Sequence, residues 1–190
     1  MNKERIKELA GIVDDAAANA REIGMLTADE ADLSIAEAYL IQRQSVQRRL
    51  KRGERLVGMK MGLTSRAKME QVGVNEPIYG HLTSTMIVLD GGTVDLAGLC
   101  HPRVEPEIAF IIGEDLRGPI TTVQALDAVA GVCAALEVID SRYKDFKFKL
   151  PDVIADNTSA SKFVLGSRLV AAHEVNLGNL GIIDRGNGLL

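Results

Sequence analysis

The apolar positions of this chain change rhythm once, near residue 56. Over residues 3–22, Ile6, Leu9, Ile12, Val13 and Ala16 recur at three- and four-residue intervals, which predicts an amphipathic helix. A second helix is predicted over 35–52. Ser34 followed by Glu37 has the capping-box spacing, and Lys51-Arg52-Gly53 supplies the cations and the glycine that suit a helix end. From Leu56 onward, short apolar runs alternate with glycine turns. Strands are predicted over 56–61, 103–112, 132–139 and 162–165. Residues 86–89 and 93–96 flank Asp90-Gly91-Gly92 in the manner of a hairpin. Thr64 or Ser65 opens a short helix that closes near Gly73, a loop fixed by Pro77 covers 75–80, and a helix covers 122–129. The pattern as a whole predicts an α+β fold, with an N-terminal helical layer (1–55) followed by a β-rich, mixed-sheet core (56–190). Residues 181–190 read as a strand entering an Asn187-Gly188 turn with no return strand. The expectation is a fragment of a longer protein, its core truncated at the C-terminus.

Composition narrows the function classes. The net charge of −4 is spread over mixed signs, and aromatic residues make up 4% with no Trp, so neither a basic face nor a base-stacking platform is available for nucleic acid. The N-terminal segment is charged and has no apolar h-region, and no apolar run approaches a membrane span. Cys100 and Cys133 stand apart, which excludes a zinc cluster and a disulfide scaffold and suits two reduced thiols in a cytosolic protein.

The chemistry-bearing residues fall in three groups. In the strand around Arg103-Val104-Glu105-Pro106-Glu107, alternation places Glu105 and Glu107 on one face and the apolar Val104, Pro106, Ile108 and Phe110 on the other. Carboxylates about 7 Å apart on one strand face repel unless water or a cation separates them. Pro106 also marks an edge or irregular strand. Glu137 interrupts an otherwise apolar run, and a buried carboxylate needs a partner. A salt bridge to Arg142 or Arg103 is one solution; a divalent cation shared with Glu105 and Glu107 is the other. All-oxygen ligands suit magnesium or manganese rather than zinc. The second group is Lys60 among Gly58, Gly62, Thr64 and Ser65, a cation placed to bind a carboxylate or enolate or to pass a proton, or simply a snorkelling surface lysine. The third joins Asp140-Ser141-Arg142-Tyr143 to Asp156-Asn157-Thr158-Ser159-Ala160-Ser161, where Arg142 could hold a diacid carboxylate, and where ordinary loop chemistry is the competing account. His81, His101 and His173 lack metal-ligand spacing and read as structural or solvated.

Taken in order, Val57-Gly58-x-Lys60-x-Gly62-Leu63-Thr64-Ser65, Gly73-Val74, His101-Pro102-Arg103-Val104-Glu105-Pro106-Glu107-Ile108-Ala109-Phe110, Leu136-Glu137-Val138-Ile139-Asp140-Ser141-Arg142-Tyr143 and Ala155-Asp156-Asn157 form a recognisable series. The chain resembles the hydratase/decarboxylase branch of the fumarylacetoacetate hydrolase superfamily over nearly its whole length. The resemblance implies a core of the fumarylacetoacetase C-terminal-domain type. It implies metal ligands at Glu105, Glu107 and Glu137, magnesium (manganese possible) as cofactor, an active-site lysine at Lys60, and substrate contacts at Leu63 and Ser161. Where hydratases of the branch carry Pro-Asp-Phe-Gly, this chain has Pro77-Ile78-Tyr79-Gly80. The implied activity is therefore metal-dependent decarboxylation of the 2-oxo dicarboxylate 2-oxohex-3-enedioate to 2-hydroxypenta-2,4-dienoate, or its keto form 2-oxopent-4-enoate, in aromatic meta-cleavage catabolism. Hydration of 2-hydroxypenta-2,4-dienoate is the alternative, and a non-catalytic subunit that binds a hydratase is an alternative of another class. Branch membership also implies a cytoplasmic homo-oligomer that associates with a 2-hydroxypentadienoate hydratase.

Overall fold

The computed structural model describes residues 1–72, 74–183 and 186. In chain order its elements are α1 (Lys3–Ala18), α2 (Leu26–Asp29), α3 (Ile35–Lys51), β1 (Leu56–Gly62), α4 (Arg66–Val72), β2 (Ile78–Thr83), β3 (Ile87–Val88), β4 (Pro102–Ile112), α5 (Thr122–Asp127), β5 (Val129–Asp140), α6 (Leu150–Ala155) and β6 (Ala160–Leu165), with short 3-10 turns between them. The chain divides into two compact units. The first comprises Met1–Ile87, Val94–Arg103 and Val138–Lys162; the second comprises Val88–Thr93, Val104–Glu137 and Phe163–Leu190.

In the first unit, Asn2 caps α1 by accepting from the Arg5 N–H, and Ser34 and Glu37 form the expected reciprocal capping box on α3. Helix α1 stops at Ala18, four residues before the predicted end, and Ala20 beyond it turns into the left-handed region at φ 46°. The apolar stripe read from the sequence is the one buried. Ile6, Leu9, Ala10 and Val13 pack with Leu26, Leu33, Ala38 and Ile41, and with Ile78, Tyr143, Ile154 and Ala155. Each fully buried Leu or Ile there contributes about 1.5–3 kcal/mol relative to exposure.

Two corrections concern this unit. Residues 78–80, expected in a loop, open β2, which pairs antiparallel with β1 in the register Lys60↔Gly80 and Gly62↔Ile78. Pro77 precedes that strand, a position at which a missing N–H is harmless. Helix α6 was not expected. Its six residues are too few to show a helical period, but Pro151 in its first turn and Asp152, which accepts from the Lys149 N–H, define its start. The predicted short helix after Ser65 is α4; its stop near Gly73 lies outside the described residues.

Side chains close one edge of β2. The Tyr79 carbonyl accepts from Gln42 Nε2 (2.9 Å) and Thr158 Oγ1 (2.7 Å), and its N–H donates to Tyr39 Oη (3.3 Å). Two residues on, Asn157 receives the His81 N–H on Oδ1 and donates from Nδ2 to the His81 carbonyl, both at 2.8 Å. These bonds satisfy backbone groups that an edge strand would otherwise leave to solvent.

The larger sheet has strand order β3-β6-β5-β4. The expected hairpin around Asp90-Gly91-Gly92 is absent among the described residues. The turn forms, with Gly91 at φ 78° and the Gly92 N–H donating to the Leu89 carbonyl, but β3 lies beside β6 and residues 96–98 are a 3-10 turn. A Gly-rich turn fixes a local reversal, not the strand that follows it. β4 takes an outermost place, one of the two settings that Pro106 allows. Alternation along β4 holds, and the apolar side chains are the more exposed: Val104 is 55% and Phe110 46% exposed, while Glu105 and Glu107 are half-buried. Alternation determines which residues share a face, and long-range packing decides which face is covered. The strand expected from residue 181 is not seen over 181–183, and the Asn187-Gly188 turn lies outside the described residues.

Candidate metal centre

Neighbouring strands β4 and β5 bring Glu105, Glu107 and Glu137 together. One carboxylate oxygen from each lies within 4.8 Å of the other two. Two of the side chains are two residues apart on one strand and so share a face; the third projects from the strand beside it. Glu137 is buried, and Glu105 and Glu107 are half-buried. Oxygens that share one magnesium ion at about 2.1 Å stand about 3.0–4.2 Å apart in octahedral geometry. The all-carboxylate chemistry suits a hard divalent cation, and oxygens within 4.8 Å reach that range with small side-chain movements. All three residues belong to the second unit.

The two arginines weighed as salt-bridge partners make well-defined contacts of their own. The Arg103 guanidinium lies 3.7 Å from the centre of the Phe146 ring, a cation–π contact. Arg142 is almost fully buried and holds Asp156: Nε donates to Oδ1 (2.7 Å), Nη2 donates to the Asp156 carbonyl (2.7 Å) and the backbone N–H donates to Oδ2 (3.1 Å). Burial pushes the Asp156 carboxyl above the ordinary carboxylate range, against the pull of Arg142. Arg142 and Ser161 line one cavity of about 300 Å³ in the first unit, along with Arg49, Lys162 and Asp14.

Lys60 lies in the first unit, on β1, within a platform that backbone geometry builds. Asn157, Thr158 and Ser159 form a left-handed turn, with φ of 53°, 53° and 56°. Such values cost roughly 1–2 kcal/mol per non-glycine residue, so the turn persists only because its surroundings hold it. Thr158, β-branched, is the most strained of the three by type. Lys60 Nζ donates to the Thr158 carbonyl at 3.2 Å. Glycines let the turn approach: a Cβ on Gly80 would stand 2.4 Å from the Asn157 carbonyl oxygen, and one on Gly62 would stand 2.8 Å from Thr158 Cγ2. Leu63, just past β1, also has positive φ, 56°. From the sequence, Asn157 and Thr158 belong to a hydroxyl-rich loop and the turn is invisible; three consecutive left-handed residues without glycine leave no sequence signal.

The histidines are structural or solvated. His81 Nδ1 meets Gln42 Oε1 at 3.1 Å, His101 Nδ1 meets the Ser141 carbonyl at 2.8 Å, and His173 is exposed. Both cysteines are free thiols.

Residues 46–188 match the model of the fumarylacetoacetate (FAA) hydrolase C-terminal family. Over 181 residues the chain is 50% identical to a 4-oxalocrotonate decarboxylase from a Pseudomonas species, an alignment covering 94% of this chain and 69% of that one. A 2-hydroxypent-2,4-dienoate hydratase from Pseudomonas putida is 38% identical over 192 residues, covering 100% of this chain and 86% of the hydratase. Among solved structures, 4-oxalocrotonate decarboxylase from Pseudomonas putida G7, complexed with magnesium and adipate, superposes with a TM-score of 0.90 at 41% identity, covering 93% of this chain and 68% of that one. With a family model matched over most of its length and relatives at this level of identity, the chain belongs to the fumarylacetoacetate hydrolase family.

Proposed function

We propose that this protein is a magnesium-dependent carboxy-lyase that converts 2-oxohex-3-enedioate (4-oxalocrotonate) to 2-hydroxypenta-2,4-dienoate and carbon dioxide in the catabolism of aromatic ring-cleavage products. The observation that carries the reading is the convergence of Glu105, Glu107 and Glu137 within 4.8 Å. Support comes from the decarboxylase relatives and from the solved relative that holds magnesium with adipate, a six-carbon diacid like the proposed substrate.

Glu105, Glu107 and Glu137 would hold the magnesium, leaving positions for water and ligand. When bound, it supplies Lewis acidity toward the carboxylate and keto oxygens of the 2-oxo acid end. The distal carboxylate is vinylogous to that of a β-keto acid. Its bond to C5 breaks, carbon dioxide leaves, and the electron pair moves through the alkene to the C2 oxygen. A proton delivered there gives the dienol, and one delivered to C3 gives 2-oxopent-4-enoate. In this reading Lys60 orients the substrate and handles that proton, while Leu63 and Ser161 contact the substrate. Arg142, locked to Asp156, acts on the substrate only by holding the segment that leads to Ser161. Ile78, buried in the apolar core of the first unit, offers no acid or base to hold a hydrating water. A cytoplasmic homo-oligomer that associates with the hydratase of the next step belongs to the same reading. Among the described residues no helix is long and apolar enough to cross a membrane.

The test follows carbon dioxide release and dienoate formation with magnesium and after chelation. Decarboxylation that vanishes on chelation, returns with magnesium and is lost in Glu107→Gln supports the reading. Full activity after chelation, or in Glu107→Gln, rejects the metal site. Water addition to the dienoate without carbon dioxide release selects the hydratase.

A further inference from the structure

We infer that Asn157 is a positioning residue for Lys60, acting through the left-handed turn that begins with it; the inference rests on the proposed role of Lys60. The chain of contacts is short and lies in one unit. Asn157 pairs through its amide with both backbone groups of His81, at 2.8 Å each, as a neighbouring strand would. That fixes the start of the turn against the open edge of β2. The Thr158 hydroxyl adds a third tie, to the Tyr79 carbonyl at 2.7 Å. With its side chain held there, Thr158 presents its carbonyl to Lys60 Nζ at 3.2 Å.

Two features separate this from ordinary loop packing. All three turn residues sit in a backbone region that L side chains rarely adopt, so the turn is an expensive way to cap a strand edge. A plain loop would satisfy His81 without it. What the strained turn adds is an acceptor aimed across the sheet at a lysine two strand positions from Gly62, which is bare so that Thr158 can reach in. Gly80 is bare on the same face: the register pairs it with Lys60, and its missing side chain leaves room for the Asn157 carbonyl. The lysine, the acceptor and both clearances fit together as one arrangement around Nζ.

Asparagine is suited to the position because it offers one acceptor and one donor to a single residue's N–H and C=O. Alanine offers neither, and the turn then loses the ties that offset its strain. Lys60 then loses one of the contacts that set its direction, and a catalytic group displaced by about an ångström costs on the order of 100-fold in rate.

The experiment is a double-mutant cycle in the magnesium-loaded enzyme over wild type, K60A, N157A and K60A/N157A, with Tm and magnesium affinity measured for each. In parallel, the Lys60 13Cε resonance is followed in protein labelled at lysine, assigned by its absence from K60A. The expected result is a kcat in N157A about 10- to 100-fold below wild type, with KM and magnesium affinity within about threefold. No further loss is expected when N157A is added to K60A, and the Lys60 resonance should move while the other lysines stay. A wild-type kcat in N157A, an equal fold-loss in both backgrounds, or an unmoved Lys60 resonance overturns the inference while leaving Lys60 catalytic. A wild-type kcat in K60A removes Lys60 from the chemistry, and the inference with it. Where N157A does not fold, T158V, which deletes only the bond to Tyr79, takes its place with the same readouts, and the same outcomes support or overturn the inference.

Discussion

Asp14 and Glu137 are both carboxylates taken almost entirely out of water, and the chain surrounds them in opposite ways. Asp14 rises from the buried side of α1 and meets three arginines of α3 and its end. Arg48 Nε is at 2.7 Å, Arg52 Nη1 at 2.6 Å and Arg49 Nε at 3.5 Å. Glu137 rises from β5 and converges with two more carboxylates, Glu105 and Glu107. A group facing opposite charge belongs to the scaffold, since its desolvation is offset within the fold. Carboxylates gathered on adjacent strands repel one another, and a divalent cation that brings charge with it relieves that repulsion. The two carboxylates thus differ in what converges on them: three arginines on Asp14, two further carboxylates on Glu137.

The comparison is tested most sharply by removing one charge from each. Glu137→Gln keeps the shape and deletes the charge of a proposed ligand. Magnesium at 100 times its dissociation constant should stabilise the wild-type protein by about 2.7 kcal/mol. That gain should vanish in Glu137→Gln, along with decarboxylase activity by on the order of 1,000-fold, a loss of about 4 kcal/mol in transition-state stabilisation. In the metal-free protein its Tm should fall less than that of Asp14→Asn, because removing one of three converging carboxylates also relieves the repulsion among them. A metal-free Glu137→Gln that unfolds as readily as an Asp14 variant would place Glu137 with the scaffold and break the comparison; chelator-controlled thermal melts decide it.

Asp14→Asn is expected to act the other way. Breaking a buried ion pair commonly costs about 3–5 kcal/mol, but Arg48 and Arg52 are partly exposed and regain hydration, so about 2–3 kcal/mol is expected. Denaturant melts measure it, with magnesium affinity unchanged. The pH dependence has a definite sign. Burial raises the Asp14 carboxyl, the bonds from Arg52 and Arg48 outweigh it, and the net shift is below the usual carboxylate range. A depressed folded-state value means that the stabilisation is complete above about pH 4, the unfolded value, and is lost as pH falls through the folded one. Asp14→Asn should remove that part of the acid limb. An unchanged slope there would show that the arginines do not hold the carboxylate.

These two sites also show what was legible in the sequence. Glu105 and Glu107 could be placed on one face because strand alternation is local, and Glu137 stood out because its run has no other polar side chain. The place of β4 at the sheet edge is one of the two settings, edge or irregular strand, that Pro106 indicated. Asp14 was not legible: its partners are 34 to 38 residues away on another helix, and a charge in an amphipathic repeat looks like part of the wet face. The Asn157 turn was hidden for a different reason, since its conformation is imposed by β2 and the glycines opposite and runs against the preference of its own residues. Which face of β4 is covered was not legible, because nothing local says which side of a strand the rest of the chain covers. Sequence reading worked where the signal was a period or a lone charge, and failed where distant segments decided.

The smallest expected effect falls on a feature that was fully legible. Ser34 accepts from the Glu37 N–H, and Glu37 returns the bond to the Ser34 N–H at 3.1 Å. Ser34→Ala should cost about 1 kcal/mol by leaving helix-start donors to water. α3 carries the arginines that hold Asp14, so the loss is expected in the same denaturant melt as Asp14→Asn. The two should add to within about 0.5 kcal/mol, because the cap and the ion cluster sit more than two helical turns apart and share no partner. Non-additivity well beyond that would mean that the start of α3 sets the register of its arginines. The Asp14 cluster would then report on the whole helix rather than on its own charges, and the contrast with Glu137 would have to be drawn between helix and sheet instead of between two carboxylates.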